Sequence, residues 1–156
     1  MMKTYSLKTK QFLPTGLQYA WDFFSSPKNL AVITPTRLNF EILSGAEEDK
    51  IFQGQVIQYK ITVLPMIRMF WETEITEVKN LLSFTDTQRK GPYAHWVHKH
   101  SFTEVDGGVE MTDEIEYAIP FGILGRFANH LFVEDEVKSI FDYRFKVLEK
   151  HFNKGQ

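Results

Sequence analysis

The sequence contains no cysteine, and its 156 residues include only nine glycines and six prolines. Without thiols the chain cannot form disulfides, zinc–thiolate sites, iron–sulfur clusters or a cysteine nucleophile. It has no excess of one charge, because 18 Lys and Arg face 20 Asp and Glu, and the net charge of -2 gives no electrostatic argument for nucleic-acid binding. No apolar run approaches the roughly 20 residues of a membrane span, and residues 1–16 lack the apolar core of a secretory signal. We therefore expect a cytoplasmic protein with no nucleic-acid partner and no stable membrane insertion.

Aromatic residues, in contrast, are abundant: 14 Phe, 6 Tyr and 3 Trp make up 15% of the chain. The overall composition, 43% hydrophobic and 24% charged, is typical of a globular protein. A chain of this length can bury about 70% of its unfolded surface without staples. Because no linker, repeat or low-complexity segment divides it, we predict a single domain over residues 1–156.

Seven strands and two short helices are predicted before the tail. Period-2 alternation indicates a strand over residues 5–12, followed by a helix over residues 17–24 and a second short helix that begins at Pro27 and ends before Thr34. The six further strands are predicted at residues 38–42, 51–63, 67–78, 81–88, 94–105 and 109–118. Turn-forming residues such as Asp106-Gly107-Gly108 separate them.

The tail predicts one long amphipathic helix over residues 122–152. Its apolar residues recur at spacings near three and four, at Leu124, Phe127, Leu131, Val137, Phe141, Phe145, Leu148 and Phe152. Such a helix needs an apolar partner, and a seven-stranded antiparallel sheet is large enough to supply one. The fold class expected is therefore α+β.

Several segments of the chain resemble one known group of proteins. These are residues 71–75 (WETEI), 84–93 (FTDTQRKGPY), 96–102 (WVHKHSF), Asp113, Tyr117, 120–122 (PFG) and 141–144 (FDYR). Together with the order of elements, they resemble the START-like superfamily, also called Bet v 1-like or SRPBCC, and within it a bacterial ligand-binding SRPBCC family. The resemblance covers essentially the whole chain and implies a helix-grip fold, in which a curved sheet holds the final helix around a cavity. It says less about function, because the superfamily includes lipid carriers, hormone receptors, polyketide cyclases and chaperone cofactors.

The alternation of the last predicted strand sets which side chains face inward. Its glutamates and Thr112 form a solvent face, so Met111, Asp113 and Tyr117 point toward the helix. A four-residue turn at 105–108 then places His100 opposite Asp113. A two-residue turn at Lys79-Asn80 pairs Val78 with Leu81, which places Asp86 opposite Thr73 and Trp71 opposite Gln88.

From this register we predict the residues that line the cavity. They are Met69, Trp71, Phe84, Gln88, Trp96, His98, His100, Phe102, Met111 and Tyr117, with Phe121 and Leu124 as a gate over its mouth. The alternative for the 120–122 segment is purely structural, because a proline there ends the strand and starts the helix.

The polar residues among them require partners, because an unpaired buried polar group costs about 1 to 3 kcal/mol. Asp86, Asp113, His98 and His100 could form a satisfied network that fixes strand register, or could meet the polar end of a ligand. Two His at i, i+2 with nearby Asp could also hold zinc or iron. Hydrogen bonding inside the sheet is the preferred interpretation, so we predict no metal and no cofactor.

Two functions remain open at this point. The first is non-catalytic binding of a small hydrophobic molecule: a lipid, isoprenoid, quinone or aromatic compound. The alternative, implied by the resemblance, is an enzyme of cyclase, aromatase or dehydratase type, with His98 or His100 as general base and Asp113 or Asp86 orienting it. The sequence identifies no protein partner, and it carries no Gly-x-Ser-x-Gly nucleophile or phosphate-binding glycine loop.

Overall fold

The structure, a computed structural model, describes residues 2–64 and 66–153, apart from the side chains of residues 64, 123, 126, 127 and 129. Within them a seven-stranded antiparallel sheet curves around a long C-terminal helix. The strands are β1 (Tyr5–Leu13), β2 (Glu41–Ser44), β3 (Val56–Leu64), β4 (Ile67–Lys79), β5 (Ser83–Lys90), β6 (His95–Val105) and β7 (Gly108–Ala118). Their order in the sheet is β1-β7-β6-β5-β4-β3-β2, so the first strand lies beside the last. The predicted α+β helix-grip fold is confirmed.

The connection between β1 and β2 is helical. It contains α1 (Leu17–Phe24) and two single 3-10 turns, Pro27–Leu30 and Thr36–Leu38. Pro27 occupies the start of the first turn, where its missing N–H costs nothing. One face of α1 is buried, with Trp21 and Phe24 among its buried side chains. This connection therefore covers part of the inner face of the sheet.

The C-terminal helical run is continuous but not uniform. It consists of α2 (Gly122–Ala128), a π-helical turn (Asn129–Val133) and α3 (Glu134–Asn153). The predicted apolar stripe is buried only in α3, at Val137, Phe141, Leu148 and Phe152, whereas Leu124, Leu131 and Phe145 are exposed. The side chain of Phe127, also predicted in the stripe, lies outside the described residues. None of the described helices is long and apolar enough to cross a membrane.

Three predicted strands had wrong boundaries, among them the strand expected at residues 81–88, which is Ser83–Lys90. The strand expected from residue 51 begins at Val56, because residues 52–55 form a turn with Gly54 at φ +89°. The Gln55 side chain holds this turn: its amide donates to the Gly45 carbonyl at 2.8 Å and accepts from the Phe52 N–H at 3.1 Å. Similarly, the strand expected at residues 38–42 is Glu41–Ser44, because Asn39 adopts a left-handed conformation.

The predicted register is confirmed between β6 and β7 and wrong between β4 and β5. His100 does pair with Asp113, and His98 pairs with Ile115. The Lys79-Asn80 turn is longer than expected, because Leu81 has a positive φ of 62° and Lys79 pairs with Ser83. With a further irregularity in β4 between residues 75 and 77, Asp86 lies opposite Ile75 instead of Thr73. Likewise Gln88 lies opposite Thr73 and not opposite Trp71.

The largest apolar cluster lies at one end of the sheet, under α1 and the C-terminal end of α3. It contains Trp21, Phe102, Met111 and Leu148, and Trp21 packs edge-on against Phe102 at 5.6 Å between ring centroids. This end of the molecule is tightly filled by its own side chains. The space at the other end leaves room for a cavity.

Candidate functional site: a cavity with a polar end

A cavity of about 200 Å³ lies between the sheet and α3 and opens to the surface. Strands β3, β4, β5 and β6 form its floor, α3 forms one wall, and the 3-10 segment between α1 and β2 forms another. Its apolar lining includes Phe24, Ile33, Leu38, Ile57, Ile61, Ile75, Val137 and Phe141. The cavity is thus bounded by the elements that a helix-grip fold brings together.

Aromatic side chains make up much of the floor. Tyr59 stacks on Trp71 with ring centroids 5.7 Å apart, and Trp71 meets Trp96 edge-on at 5.4 Å. Tyr93 lies 4.8 Å from Trp96 and 5.5 Å from Trp71. These contacts fix the rings against one another, so that the cavity has a rigid aromatic surface.

Asp113, on β7, is the centre of a buried polar cluster next to the cavity. One of its oxygens, Oδ1, accepts from Nε2 of His98 at 2.8 Å and lies 2.9 Å from Nδ1 of His100. Arg144 approaches the same oxygen from α3 at 3.4 Å. All four residues are buried, with 5 to 6% of their surface exposed. A single carboxylate therefore ties two strands of the sheet to the C-terminal helix.

Asp86, on β5, lies on the cavity side of the two histidines. Its Oδ2 atom is 3.2 Å from Nε2 of His100 and 3.8 Å from Nδ1 of His98. The imidazole rings lie side by side at 3.8 Å between centroids, and Phe84 stacks on His100 at 4.2 Å. Asp86, His98 and His100 all line the cavity. They form its polar end.

The two histidines have opposite pKa shifts. Burial lowers the pKa of His98 below its ordinary value of 6.5, and the charge of His100 adds to this effect. Burial also acts to lower the pKa of His100, but hydrogen bonds to Asp113 and Asp86 outweigh it and raise the pKa. His98 is therefore neutral near pH 7, and its proton must be on Nε2, because the Asp113 carboxylate can only accept.

Asp113 remains ionised. Burial alone would raise its pKa, but the Arg144 guanidinium and the hydrogen bonds from both histidines hold that pKa well below 3.8. The ionised Asp113 carboxylate and the Arg144 guanidinium thus carry opposite charges inside the cluster, and the raised pKa of His100 favours its positively charged form. This balance of charge is what allows four ionisable side chains to be buried together.

Of the residues predicted from sequence, Trp71, Phe84, Trp96, His98 and His100 line the cavity together with Asp86. Phe102 and Met111 lie in the apolar cluster under α1, and Tyr117 stacks on Tyr5 at 5.5 Å. Gln88 instead holds the β5–β6 connection, donating to the Tyr93 carbonyl at 2.7 Å. Met69 is partly buried outside the lining, and Phe121 and Leu124 are 81% and 78% exposed, away from the cavity.

Arg144 is the member of the polar cluster that was not predicted from the sequence, and Tyr59 and Tyr93 are lining residues that were not predicted either. Arg144 lies three residues after Phe141 and four before Leu148, both buried on the apolar face of α3. A charged residue at a buried position of an amphipathic helix requires an opposite charge on the surface it covers. Asp113, the single acidic residue on the inward face predicted for the last strand, would have identified that partner.

The described residues contain one group of three side chains with metal-ligand chemistry in close proximity. Asp86, His98 and His100 each offer a ligand atom within 4.8 Å of the others. Glu136 on α3 also lines the cavity, but it is half-buried and forms an ion pair with Arg37. Chemically, the polar end can accept hydrogen bonds, take up a proton at His98, or coordinate a cation.

No family model and no curated protein matches this sequence. Several solved structures match its fold. Protein Ms6760 from Mycobacterium smegmatis is 16% identical, with 97% of this chain and 92% of that chain covered and a TM-score of 0.68. The ginseng major latex-like protein from Panax ginseng is 15% identical, with 96% and 97% covered and a TM-score of 0.68.

A third similar structure is norcoclaurine synthase from Thalictrum flavum, solved as a point mutant with a transition-state analogue. It is 12% identical, covers 97% of this chain and 98% of that chain, and has a TM-score of 0.67. At these identities the likeness concerns the fold. The chain shares the helix-grip fold of these structures, the fold that the sequence resemblance implied.

Proposed function

We propose that the protein binds a small hydrophobic molecule in the cavity between the sheet and α3, without catalysis. The observation that carries this proposal is the cavity itself, about 200 Å³ with a mainly apolar and aromatic lining and one polar end. Ligand sites typically have this composition. A dry cavity of about 150 Å³ lined by aliphatic and aromatic side chains accommodates benzene. The volume here therefore favours an aromatic compound, a quinone ring or a short isoprenoid over a lipid with two acyl chains.

The lining also indicates how such a ligand would be oriented. Flat rings gain from stacking on the aromatic floor formed by Tyr59, Trp71 and Trp96. A polar substituent would be placed against Asp86 and His98, which lie together at one end of the cavity. Burial of apolar area contributes roughly 25 cal/mol per Å² before the costs of association are subtracted. The polar end would add selectivity more than affinity.

The test combines ligand discovery with a matched pair of variants. Native mass spectrometry of protein purified from cells, followed by solvent extraction, should release a bound molecule of a few hundred daltons at most. Tryptophan fluorescence then follows its rebinding, since Trp71 and Trp96 line the cavity. We expect Ile61→Phe to weaken binding at least tenfold by filling the cavity. Ile42→Phe, the same change on the neighbouring strand outside the lining, should leave affinity unchanged.

Two results would contradict the proposal. One is a protein that shows neither a bound molecule nor a response to a panel of aromatic, quinone and isoprenoid compounds. The other is equal loss of affinity in both variants at equal thermal stability, which would place the ligand elsewhere.

A second candidate function rests on the state of His98. Its Nε2–H is held by Asp113 while Nδ1 lies toward Asp86 at the cavity, so a neutral imidazole is fixed in one tautomer. That is the arrangement of a general base with its orienting carboxylate. The reaction would be a cyclisation, aromatisation or dehydration that begins with removal of a proton. The similar fold of norcoclaurine synthase supports considering catalysis.

Here turnover of polyketide-like aromatic precursors should be lost in His98→Gln while their binding is retained. The rate should fall at low pH, as the imidazole becomes protonated. Binding with unchanged turnover in His98→Gln would exclude this role for His98.

A further inference from the structure

We propose that Asp86, His98 and His100 bind a divalent transition-metal ion at the polar end of the cavity. The inference is independent of the hydrophobic ligand proposed above. It rests on the spacing of three ligand atoms, on the contacts of Asp113 with the other nitrogen of each imidazole ring, and on the lone pair that His98 turns toward the Asp86 carboxylate.

The first observation is the spacing. Zinc lies about 2.0 to 2.2 Å from imidazole nitrogen and carboxylate oxygen, so two ligands at right to tetrahedral angles are about 3.0 to 3.4 Å apart. Asp86 Oδ2 is 3.2 Å from His100 Nε2 and 3.8 Å from His98 Nδ1. All three ligand atoms lie within 4.8 Å of one another, a spacing that side-chain rotation can close onto one ion.

The second observation concerns Asp113. It contacts His98 through Nε2 and His100 through Nδ1, at 2.8 and 2.9 Å. Each ring thereby turns its other nitrogen toward Asp86. Metal-binding histidines almost always donate their second N–H to a carboxylate or carbonyl, which fixes tautomer and orientation. Here one buried carboxylate serves both rings, and Arg144 supports that carboxylate from α3.

The third observation is the pair of acceptors. With its proton on Nε2, His98 presents a lone pair at Nδ1, which lies 3.8 Å from the Asp86 carboxylate oxygen. The Asp86 oxygen has His100 Nε2 as a partner at 3.2 Å, but the His98 lone pair gains nothing from facing a carboxylate, whereas a cation between them would attract both. A hydrogen-bond network whose only purpose was to fix strand register would not need this juxtaposition. A metal ion satisfies both atoms and His100 Nε2 together.

The ligand set indicates the kind of ion. Imidazole nitrogen with carboxylate oxygen suits zinc or iron and does not suit magnesium or calcium. Three protein ligands leave at least one coordination position, which the cavity makes accessible to a bound molecule. With neutral histidines, two carboxylates and Arg144 carry a net charge of -1, so a divalent ion leaves +1. The open position would therefore favour an anionic oxygen from a ligand, such as a carboxylate or an enolate.

The experiment uses tag-free protein treated with a chelator, with Zn²⁺ as the redox-silent probe and no organic ligand present. Isothermal titration at pH 7 should give one ion per chain, and Co²⁺ should give a visible absorption spectrum typical of nitrogen and oxygen ligands. Asp86→Asn and His98→Gln should each weaken Zn²⁺ binding at least about tenfold, since even outer partners of metal ligands contribute 10- to 100-fold. Asp113→Asn should weaken Zn²⁺ binding about 10- to 100-fold, because Asp113 is such an outer partner of both histidines.

The chain offers a matched control in His95→Gln. His95 lies on the same strand with its Nε2 atom 2.9 Å from a carboxylate of Glu116, but its side chain points to the outer face. This variant should bind Zn²⁺ as tightly as the wild type. Absence of a one-to-one Zn²⁺ complex in wild-type protein would overturn the proposal. So would unchanged affinity in Asp86→Asn with an unchanged melting temperature, or a loss of affinity in His95→Gln equal to that in His98→Gln.

Discussion

Replacing Arg144 with Met should destabilise the protein more than any surface charge substitution. The guanidinium is buried, lies 3.4 Å from Asp113 and packs over the rings of Phe24 and Phe141 at 5.7 and 5.6 Å. Met retains most of the apolar stem, so the change mainly removes the charge. Asp113 would then have only the two histidines to balance its own buried charge.

The magnitude follows from this loss of a partner. Removing one member of a buried ion pair costs about 3 to 5 kcal/mol, because the remaining charge is left uncompensated. For a chain of this size that corresponds to a fall in melting temperature of roughly 6 to 20 °C. Arg37→Met is the matched control: Arg37 pairs with Glu136 on α3, but its side chain is 48% exposed. Exposed pairs contribute about 0 to 1 kcal/mol, so this variant should melt close to the wild type.

Urea denaturation of both variants, and of the double variant Arg144→Met/Asp113→Asn, measures the effect. Neutralising the carboxylate in the Arg144→Met background should recover part of the lost stability, so the two changes should be clearly non-additive. The reasoning would be refuted if Arg144→Met cost no more than Arg37→Met. Strict additivity in the double variant would refute it as well, since the effect would then be lost packing and not an unpaired charge.

Two other predictions concern pH and backbone conformation. In metal-free protein the raised pKa of His100 stabilises the fold fully below about pH 6.5, and this stability is lost as the pH rises through that pKa. The lowered pKa of His98 acts in the opposite direction: its contribution to the free energy of unfolding is lost as the pH falls below about 6.5. Urea denaturation from pH 5 to 8.5 should show both limbs, and an unchanged alkaline limb in His100→Gln would contradict the assignment. Gly45→Ala should lower the melting temperature more than Gly54→Ala. Both glycines have a positive φ, so both substitutions strain the backbone. A Cβ at Gly45 would also lie 2.0 Å from the Val56 carbonyl oxygen, whereas a Cβ at Gly54 meets nothing within 4 Å. Equal melting temperatures would show that the close approach at Gly45 relaxes without cost.

The sequence predicted one strand pairing correctly and another incorrectly, for a physical reason. Between β6 and β7, strict alternation and a four-residue turn with two glycines leave a single register, so His100 opposite Asp113 could be derived. Between β4 and β5, Leu81 adopts a positive φ that no local pattern signals in a non-glycine residue. An irregularity in β4 then shifts the pairing further. The inward direction of Asp86 survived both errors, because together they moved its partner by two residues, from Thr73 to Ile75, and a shift of two keeps the same face.

The identity of the cavity lining was harder to predict than the direction of the side chains. Phe102 and Met111 face inward as expected, but they lie under α1 at the filled end of the sheet. Which end is filled depends on how the α1 connection packs against the C-terminal part of α3, and this is a tertiary property. Facing the helix is therefore necessary for contact with a ligand but does not place a residue in the cavity.

The polar end of the cavity depends on the alignment of three strands and one helix at once. Asp86 reaches His98 only because β5 and β6 pair these two residues directly, and the connection that sets this pairing is held by Gln88 across the β5–β6 loop. Asp113 reaches both rings through the β6–β7 register. A shift of one residue in either pairing would turn its carboxylate to the outer face of the sheet. Because strand register controls the site in this way, Gln88→Ala should weaken ligand or metal binding although Gln88 does not line the cavity. The loss of affinity in this variant measures how far the site depends on the β5–β6 register.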